Sequence, residues 1–399
     1  MSSICRTKPV EGLRLLNRVL TTSTPYMHRS DRSIATVAFE EVRSLPEKPY
    51  DFTAFIFHGL LGSSRNWRSF SRSLASSLSA DGVNWRMFLV DLRNHGNSAK
   101  IEGFVPPHDM ENAAKDVANL VNSKGWDWPD VVIGHSMGGK VALQYVESCS
   151  RGVYGQSARL PKQKYLMVHH YCVLLVYVVA FKSLVVSPLH KNQNTLPNLV
   201  MPPLSTNLSG KSGNRVGISV EYTVHTPDAE QLWVLDSVPG KVNPEDSNRE
   251  VEKVMQTLQS LPSSIPSRKW LVDHLLKLGF SKALSEWLGS NLEKSGDSMT
   301  WNFNIEAAAE MFDSYMEKDY WPLLEHPPKG TEIAIVRAEK SDRWDPETVQ
   351  KLESIASNGT GGSEGKMSYH LLPNSGHWVH VENPKGLLEI ITPKLVSIV

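Results

Sequence analysis

Cysteine is scarce in this chain: Cys5, Cys149 and Cys172 are the only three in 399 residues. They are too few and too scattered for a disulfide framework, so a reducing compartment is the default. Cys149, at the end of an expected helix, reads as a small buried hydrophobe. Neither sign of charge is in excess, with 42 basic and 42 acidic residues, and nothing points to a nucleic-acid partner. Long apolar runs are missing as well. The strongest, Tyr171 to Phe181, is about half of the ~20 residues that a membrane helix needs, so no membrane span is expected. The sequence has no H-E-x-x-H pattern, no clustered Cys/His set, no G-x-G-x-x-G fingerprint and no P-loop. No metal and no cofactor is therefore implied.

Acidic residues are rare at the start of the chain. Residues 1–35 carry Arg6, Lys8, Arg14, Arg18, Arg29 and Arg32 against Glu11 and Asp31. Leu13, Leu16 and Leu20 share one helical face, and Arg14 and Arg18 share another. A basic, amphipathic start without a long apolar core suits an organelle transit peptide, mitochondrial ahead of plastid. A disordered basic tail on a cytoplasmic protein is the alternative.

What is present is a core. Apolar residues make up 40% of the chain, and α/β sheets of this length often fold as one domain. Ile34 to Glu41 alternates weakly and suits an early antiparallel strand. Further strands are expected to end near Phe57, Val90, Ile133, Leu235, Val336 and Leu372. Helical patterns fall between them at Trp67–Ala80, Met110–Asn122 and Gly138–Ser148. Strands alternating with helices predict an α/β fold, a mostly parallel sheet with helices on both faces. Ligands in such folds lie beyond the carboxyl ends of the strands.

Gly134-His135-Ser136-Met137-Gly138 follows the apolar run Asp130 to Ile133. A G-x-S-x-G pattern there suits a sharp strand-to-helix turn with the serine at its apex. Glycines flank it because the turn is strained and crowded. His58-Gly59-Leu60-Leu61-Gly62 follows the strand ending at Phe57, Asp91-Leu92-Arg93-Asn94-His95-Gly96-Asn97-Ser98 follows Val90, and Asn374-Ser375-Gly376-His377-Trp378 follows Leu372. In these four motifs and their order, residues 35 to 399 resemble the α/β-hydrolase superfamily, esterase/lipase-like branch, apart from one segment described below. Haloalkane dehalogenases and epoxide hydrolases of that fold place an aspartate where Ser136 stands.

The resemblance implies the following roles. Ser136 is the nucleophile, and a serine hydroxyl needs a base within hydrogen-bond reach. His377 is that base. Its neighbour His380 falls a helical turn later and is expected to face the sheet. A carboxylate should orient His377, and two positions compete. Asp342 follows the strand Ile333–Val336, where most of the superfamily carries its acid. Asp236 follows Leu232–Leu235, where some esterases of this branch carry theirs. Asp342 is placed slightly ahead. The backbone N–H groups of Leu60 and Met137 would form the oxyanion hole. His58, Gly59, Asp91, Arg93, His95, Gly134 and Gly138 would support the site.

The resulting organisation is a leader at 1–35, core at 36–163, an atypical insertion at 164–231, a core strand at 232–243, a helical cap at 244–325 and the rest of the core at 326–399. The insertion runs from the apolar stretch into a long Asn/Ser/Pro/Gly-rich tract, of the kind translated intron sequence produces, and is expected to be disordered or loosely packed. Within the cap, helices are expected at Glu250–Leu261, Ser267–Leu278, Ser281–Leu292 and Ile305–Tyr320. Trp270, Trp287, Trp301 and Trp321 either pack the cap on the sheet or line an apolar acyl pocket. The function expected is hydrolysis of a small carboxylic ester or thioester with an apolar acyl part. An acyltransferase using the same acyl-enzyme and a non-turnover ligand-binding module are the alternatives. The sequence does not set the oligomeric state.

Overall fold

The computed structural model describes residues 35–79, 82–154, 231–243, 250–358 and 365–398. Residues 1–34 of the expected leader and 164–230 of the expected insertion lie outside them. Gln231, assigned to the insertion, instead opens a core strand.

Among the described residues one sheet has seven strands: β1 (Phe39–Arg43), β2 (Phe52–Phe57), β3 (Trp85–Val90), β4 (Val131–His135), β5 (Gln231–Leu235), β8 (Glu332–Ala338) and β9 (Lys366–Leu372). Their spatial order is β1-β3-β2-β4-β5-β8-β9. Only β1 runs antiparallel, against β3; the remaining neighbours are parallel. The strands are apolar on both sides because helices cover both faces. Phe55, Phe57, Phe88, Val90, Val132, Leu232, Val234, Ile333 and Ile335 enter one core, and their alternates Ala54, Ile56, Met87, Leu89, Ile133, Trp233, Leu235, Ala334 and Val336 enter the other. That period of two is the pleat of a strand.

Helices α1 (Arg68–Leu78), α2 (Met110–Lys124) and α3 (Met137–Ser150) connect the first strands. Asp109 caps α2 by accepting the Asn112 amide at 2.7 Å, and Gly125 ends it in the left-handed region at φ 62°, the start and stop chemistry such a helix calls for.

The cap block contains α4 (Glu250–Ser260), α5 (Arg268–Lys277), α6 (Lys282–Ser290), α7 (Ile305–Glu317) and α8 (Trp321–Glu325). One element differs from expectation. The chain leaves α6 early and forms an antiparallel hairpin, β6 (Leu292–Ser295) with β7 (Ser298–Trp301). Its cause is the Ser295-Gly296-Asp297 turn, with Gly296 at φ 59°, a conformation that stops a helix and reverses a strand. The cap has its own core of Val254, Leu258, Leu271, Leu275, Leu288 and Phe303, and Leu61 from the loop after β2 inserts into it. Full burial of such a leucine stabilises by about 2 kcal/mol, so cap and loop are held together. No described helix is long and apolar enough to cross a membrane.

Candidate active site

Register sets the site. Phe57 pairs with Gly134, His135 with Leu235, and Leu235 with Val336. His58, Ser136 and Asp236 therefore emerge side by side at the carboxyl edge of the sheet, and His377 follows β9 on the same edge.

Ser136 stands at the start of α3 with φ 52° and ψ −123°, a backbone region costly for any residue with a Cβ. The two flanking glycines permit it. A Cβ on Gly134 would lie 2.2 Å from the Gly138 carbonyl oxygen, and one on Gly138 would lie 2.5 Å from the His58 carbonyl oxygen. Among the described residues Ser136 Oγ donates no hydrogen bond. It faces a cavity of about 780 Å³ that His377, Leu60 and Met137 also line. Met137 opens α3, so its N–H has no acceptor within the helix.

The carboxylate at His377 is Asp236, not Asp342. His377 Nδ1–H donates to Asp236 Oδ2 at 2.7 Å. Asp236 is fully buried and accepts three further hydrogen bonds: Ser341 Oγ at 2.7 Å, Trp344 Nε1 at 2.7 Å and the Ala338 amide at 3.0 Å. Burial pushes its pKa up, but the bonds from His377, Trp344 and Ser341 outweigh this and hold the carboxyl below its ordinary range. Asp342 reaches His377 only as a more distant charge. The reason lies in the strand order: β5 sits beside β4, directly under the serine turn, whereas the loop after β8 turns its Ser341 and Trp344 inward to bind Asp236.

With Nδ1 carrying the proton, His377 Nε2 is the free base. Burial, followed by the charge of Arg343, lowers its pKa below the ordinary value, with Asp236 opposing. His135, inside the serine motif, donates from Nε2 to the His377 carbonyl oxygen at 2.8 Å. The residue between glycine and serine thus anchors the histidine loop, a role the motif alone does not announce. His380 packs against His135 at the end of β4, centroids 5.5 Å apart. It lines the cavity and stacks on Trp67 with centroids 4.0 Å apart; burial pushes its pKa down to about 3.

The supporting residues have structural partners. His58 Nδ1–H donates to the Gly59 carbonyl at 2.7 Å and Nε2 accepts the Leu92 amide at 3.0 Å; burial pushes its pKa down to about 4. Asp91 accepts the Ser64 amide at 2.6 Å and the Asn97 amide at 2.9 Å, tying two loops. Arg93 pairs with Asp116 at 2.6 Å in the interior. His95 donates to the Arg93 carbonyl at 2.9 Å. Gly59 packs against Ser136, its missing Cβ falling 3.2 Å from that of the serine.

Lys140, four residues past the serine, is fully buried. Its ammonium donates to the carbonyls of Gly240, Tyr315 and Lys318, fastening α3 to α7 and to the loop after Asp236. Burial pushes its pKa down to about 7. Of the four cap tryptophans only Trp287 lines the cavity. Trp270 stacks on His274, Trp301 on Phe303, and Trp321 lies under Lys351.

The model described as "Alpha/beta hydrolase family" matches residues 54–390. The sn-1-specific diacylglycerol lipase ABHD11 of Mus musculus is 20% identical over 343 residues, 85% of this chain and 80% of its own. A probable alcohol acetyltransferase of Saccharomyces cerevisiae is 38% identical over 96 residues, 23% of this chain and 25% of its own length. The chain thus spans about a quarter of that yeast relative. Among solved structures a marine microorganism esterase superposes with TM-score 0.57 at 18% identity, covering 92% of this chain and all of that one.

Proposed function

This chain belongs to the alpha/beta hydrolase family, and from that premise we propose that it is a serine hydrolase of small carboxylic esters or thioesters. The observation that carries the reading is that His377, paired with Asp236 at 2.7 Å, lines the same apolar-walled cavity as Ser136. His377 Nε2 takes the Ser136 proton as Oγ attacks the carbonyl carbon. The carbonyl oxygen becomes an oxyanion that the N–H groups of Leu60 and Met137 would hold. His377 then gives the proton to the leaving alcohol or thiol, and the C–O or C–S bond breaks. Water repeats the cycle on the acyl-serine and releases the acid. The cavity volume suits a drug-sized substrate, and Leu60, Leu284, Val254, Trp287 and Phe312 provide apolar wall for an acyl group.

A second reading, transfer of the same acyl group to an alcohol, is favoured by the identity with the yeast acetyltransferase. The basic, acid-poor composition of residues 1–35 supports a place in an organelle, mitochondrial ahead of plastid; a fusion of those residues that stays in the cytosol would remove that support.

The test is labelling of the full chain with a fluorophosphonate, followed by ester turnover with and without an acceptor alcohol. Labelling that Ser136→Ala abolishes, with free acid as product, is the expected result. Ester product in excess of acid favours the transferase. No labelling defeats both readings.

The pH profile is a second expected result. Because the His377 pKa lies below the ordinary histidine value, the base is neutral at pH 7 and activity is retained there. kcat/KM should fall on the acid side with a midpoint below the ordinary 6.5. A midpoint at or above that value would contradict the burial argument.

A further inference from the structure

Two cavities meet at Arg343. The larger, about 780 Å³, contains Ser136 and His377. The smaller, about 130 Å³, is walled by Val238, Val242, Phe312 and Tyr315, and Arg343 belongs to both walls. Among the described residues its Nε is buried without a hydrogen-bond partner, and no carboxylate forms an ion pair with it. A guanidinium is always charged, so its fork brings a permanent cation to the cavity wall.

Several neighbouring acids have partners of their own. Glu382 accepts the Gly376 and Trp378 amides at 2.7 and 3.2 Å. Glu286 pairs with Lys282 at 3.8 Å, and Asp345 accepts the Thr348 amide at 2.8 Å. Glu250 and Glu252, in the first turn of α4, where the helix dipole favours negative charge, share the smaller cavity wall with Arg343. Asp342 has an interaction of its own. The remaining cation on the smaller wall is Lys241. Arg343 lines the same cavity as Ser136 and His377.

We infer that Arg343 is a specificity-determining residue that selects esters carrying a second, anionic group, a carboxylate or a phosphate. The guanidinium binds this group while Ser136 attacks the ester carbonyl, and the apolar wall takes the rest. Arginine suits this task because its donors form a planar fork that matches either anion. The inference rests on the serine-hydrolase reading and names its substrate class.

The experiment compares the full chain with Arg343→Met and Arg343→Lys on three esters of matched length. One is neutral, one carries a carboxylate on the acyl side, and one carries it on the alcohol side. The expected result is a preference of the wild type for one of the charged esters. Arg343→Met should lower the ratio of charged to neutral kcat/KM by about tenfold to a hundredfold, mainly through KM. Arg343→Lys should restore part of it, since charge returns without the fork. An unchanged ratio on both charged esters overturns the inference. So does an equal loss on all three with a shift of the acid limb, which would mean that Arg343 acts on His377 alone. Neutral-ester turnover that persists in Ser136→Ala would defeat the underlying reading instead, and the two failures are separate.

Discussion

Replacing Ser136 with glycine is expected to lower kcat by about 10⁵- to 10⁶-fold, the scale at which a lost serine nucleophile is felt, and to make the protein more stable. The first half follows from chemistry: without Oγ no acyl-enzyme forms. The second follows from the backbone. At φ 52° and ψ −123° a residue with a Cβ is strained by about 1–3 kcal/mol, and glycine relieves that. Glycine also adds freedom to the unfolded chain, which costs about 0.5–1 kcal/mol. The net gain is roughly 1 kcal/mol, visible as a small rise in Tm. Ser136→Ala keeps the Cβ, so it should be equally inactive without the gain. A thermal melt of both variants decides the matter. Equal stabilisation by both would show that removal of the hydroxyl, not relief of strain, is responsible.

The strain was legible before the structure because the motif places glycines two residues to either side of Ser136, and contacts of 2.2 and 2.5 Å explain why nothing larger fits. Strands were equally legible. Covered on both faces, they read as continuous apolar runs, and their ends fell close to the expected residues. Two kinds of feature were hidden. One depends on long-range pairing. Which acid meets His377 is decided by the lateral order of β4, β5 and β8, and the sequence lists those strands without saying which are neighbours. The same holds for His135 and His377, 242 positions apart, and for Lys140, whose three carbonyl partners lie 100 to 178 residues away. The other kind is local but ambiguous. Leu292 closes the helix expected from Ser281, yet it opens a hairpin that the glycine turn at 296 reverses.

Asp236→Asn is the second large effect, and the hydrogen bonds around the carboxylate say how it arises. All four groups that reach Asp236 are donors: Ala338 N–H and Trp344 Nε1–H at Oδ1, Ser341 Oγ–H and His377 Nδ1–H at Oδ2. An asparagine has one acceptor oxygen and one NH₂ donor. The amide of Ala338 and the indole of Trp344 cannot become acceptors, so the asparagine oxygen must take the Oδ1 position. Its NH₂ then faces Ser341, whose hydroxyl can rotate, and His377, whose proton can move. His377 meets the new donor by shifting its proton from Nδ1 to Nε2. The nitrogen that should receive the Ser136 proton is then already protonated, and the cation that forms during reaction loses its counter-charge. The expected loss is about 10⁴-fold in kcat, with the fold kept because each polar atom still has a partner. Asp342→Asn, lacking that bond, should stay within about threefold of the wild type. Steady-state kinetics on one chromogenic ester, with circular dichroism to check folding, measures both. A large loss at Asp342 with a small one at Asp236 would reverse the assignment of the acid.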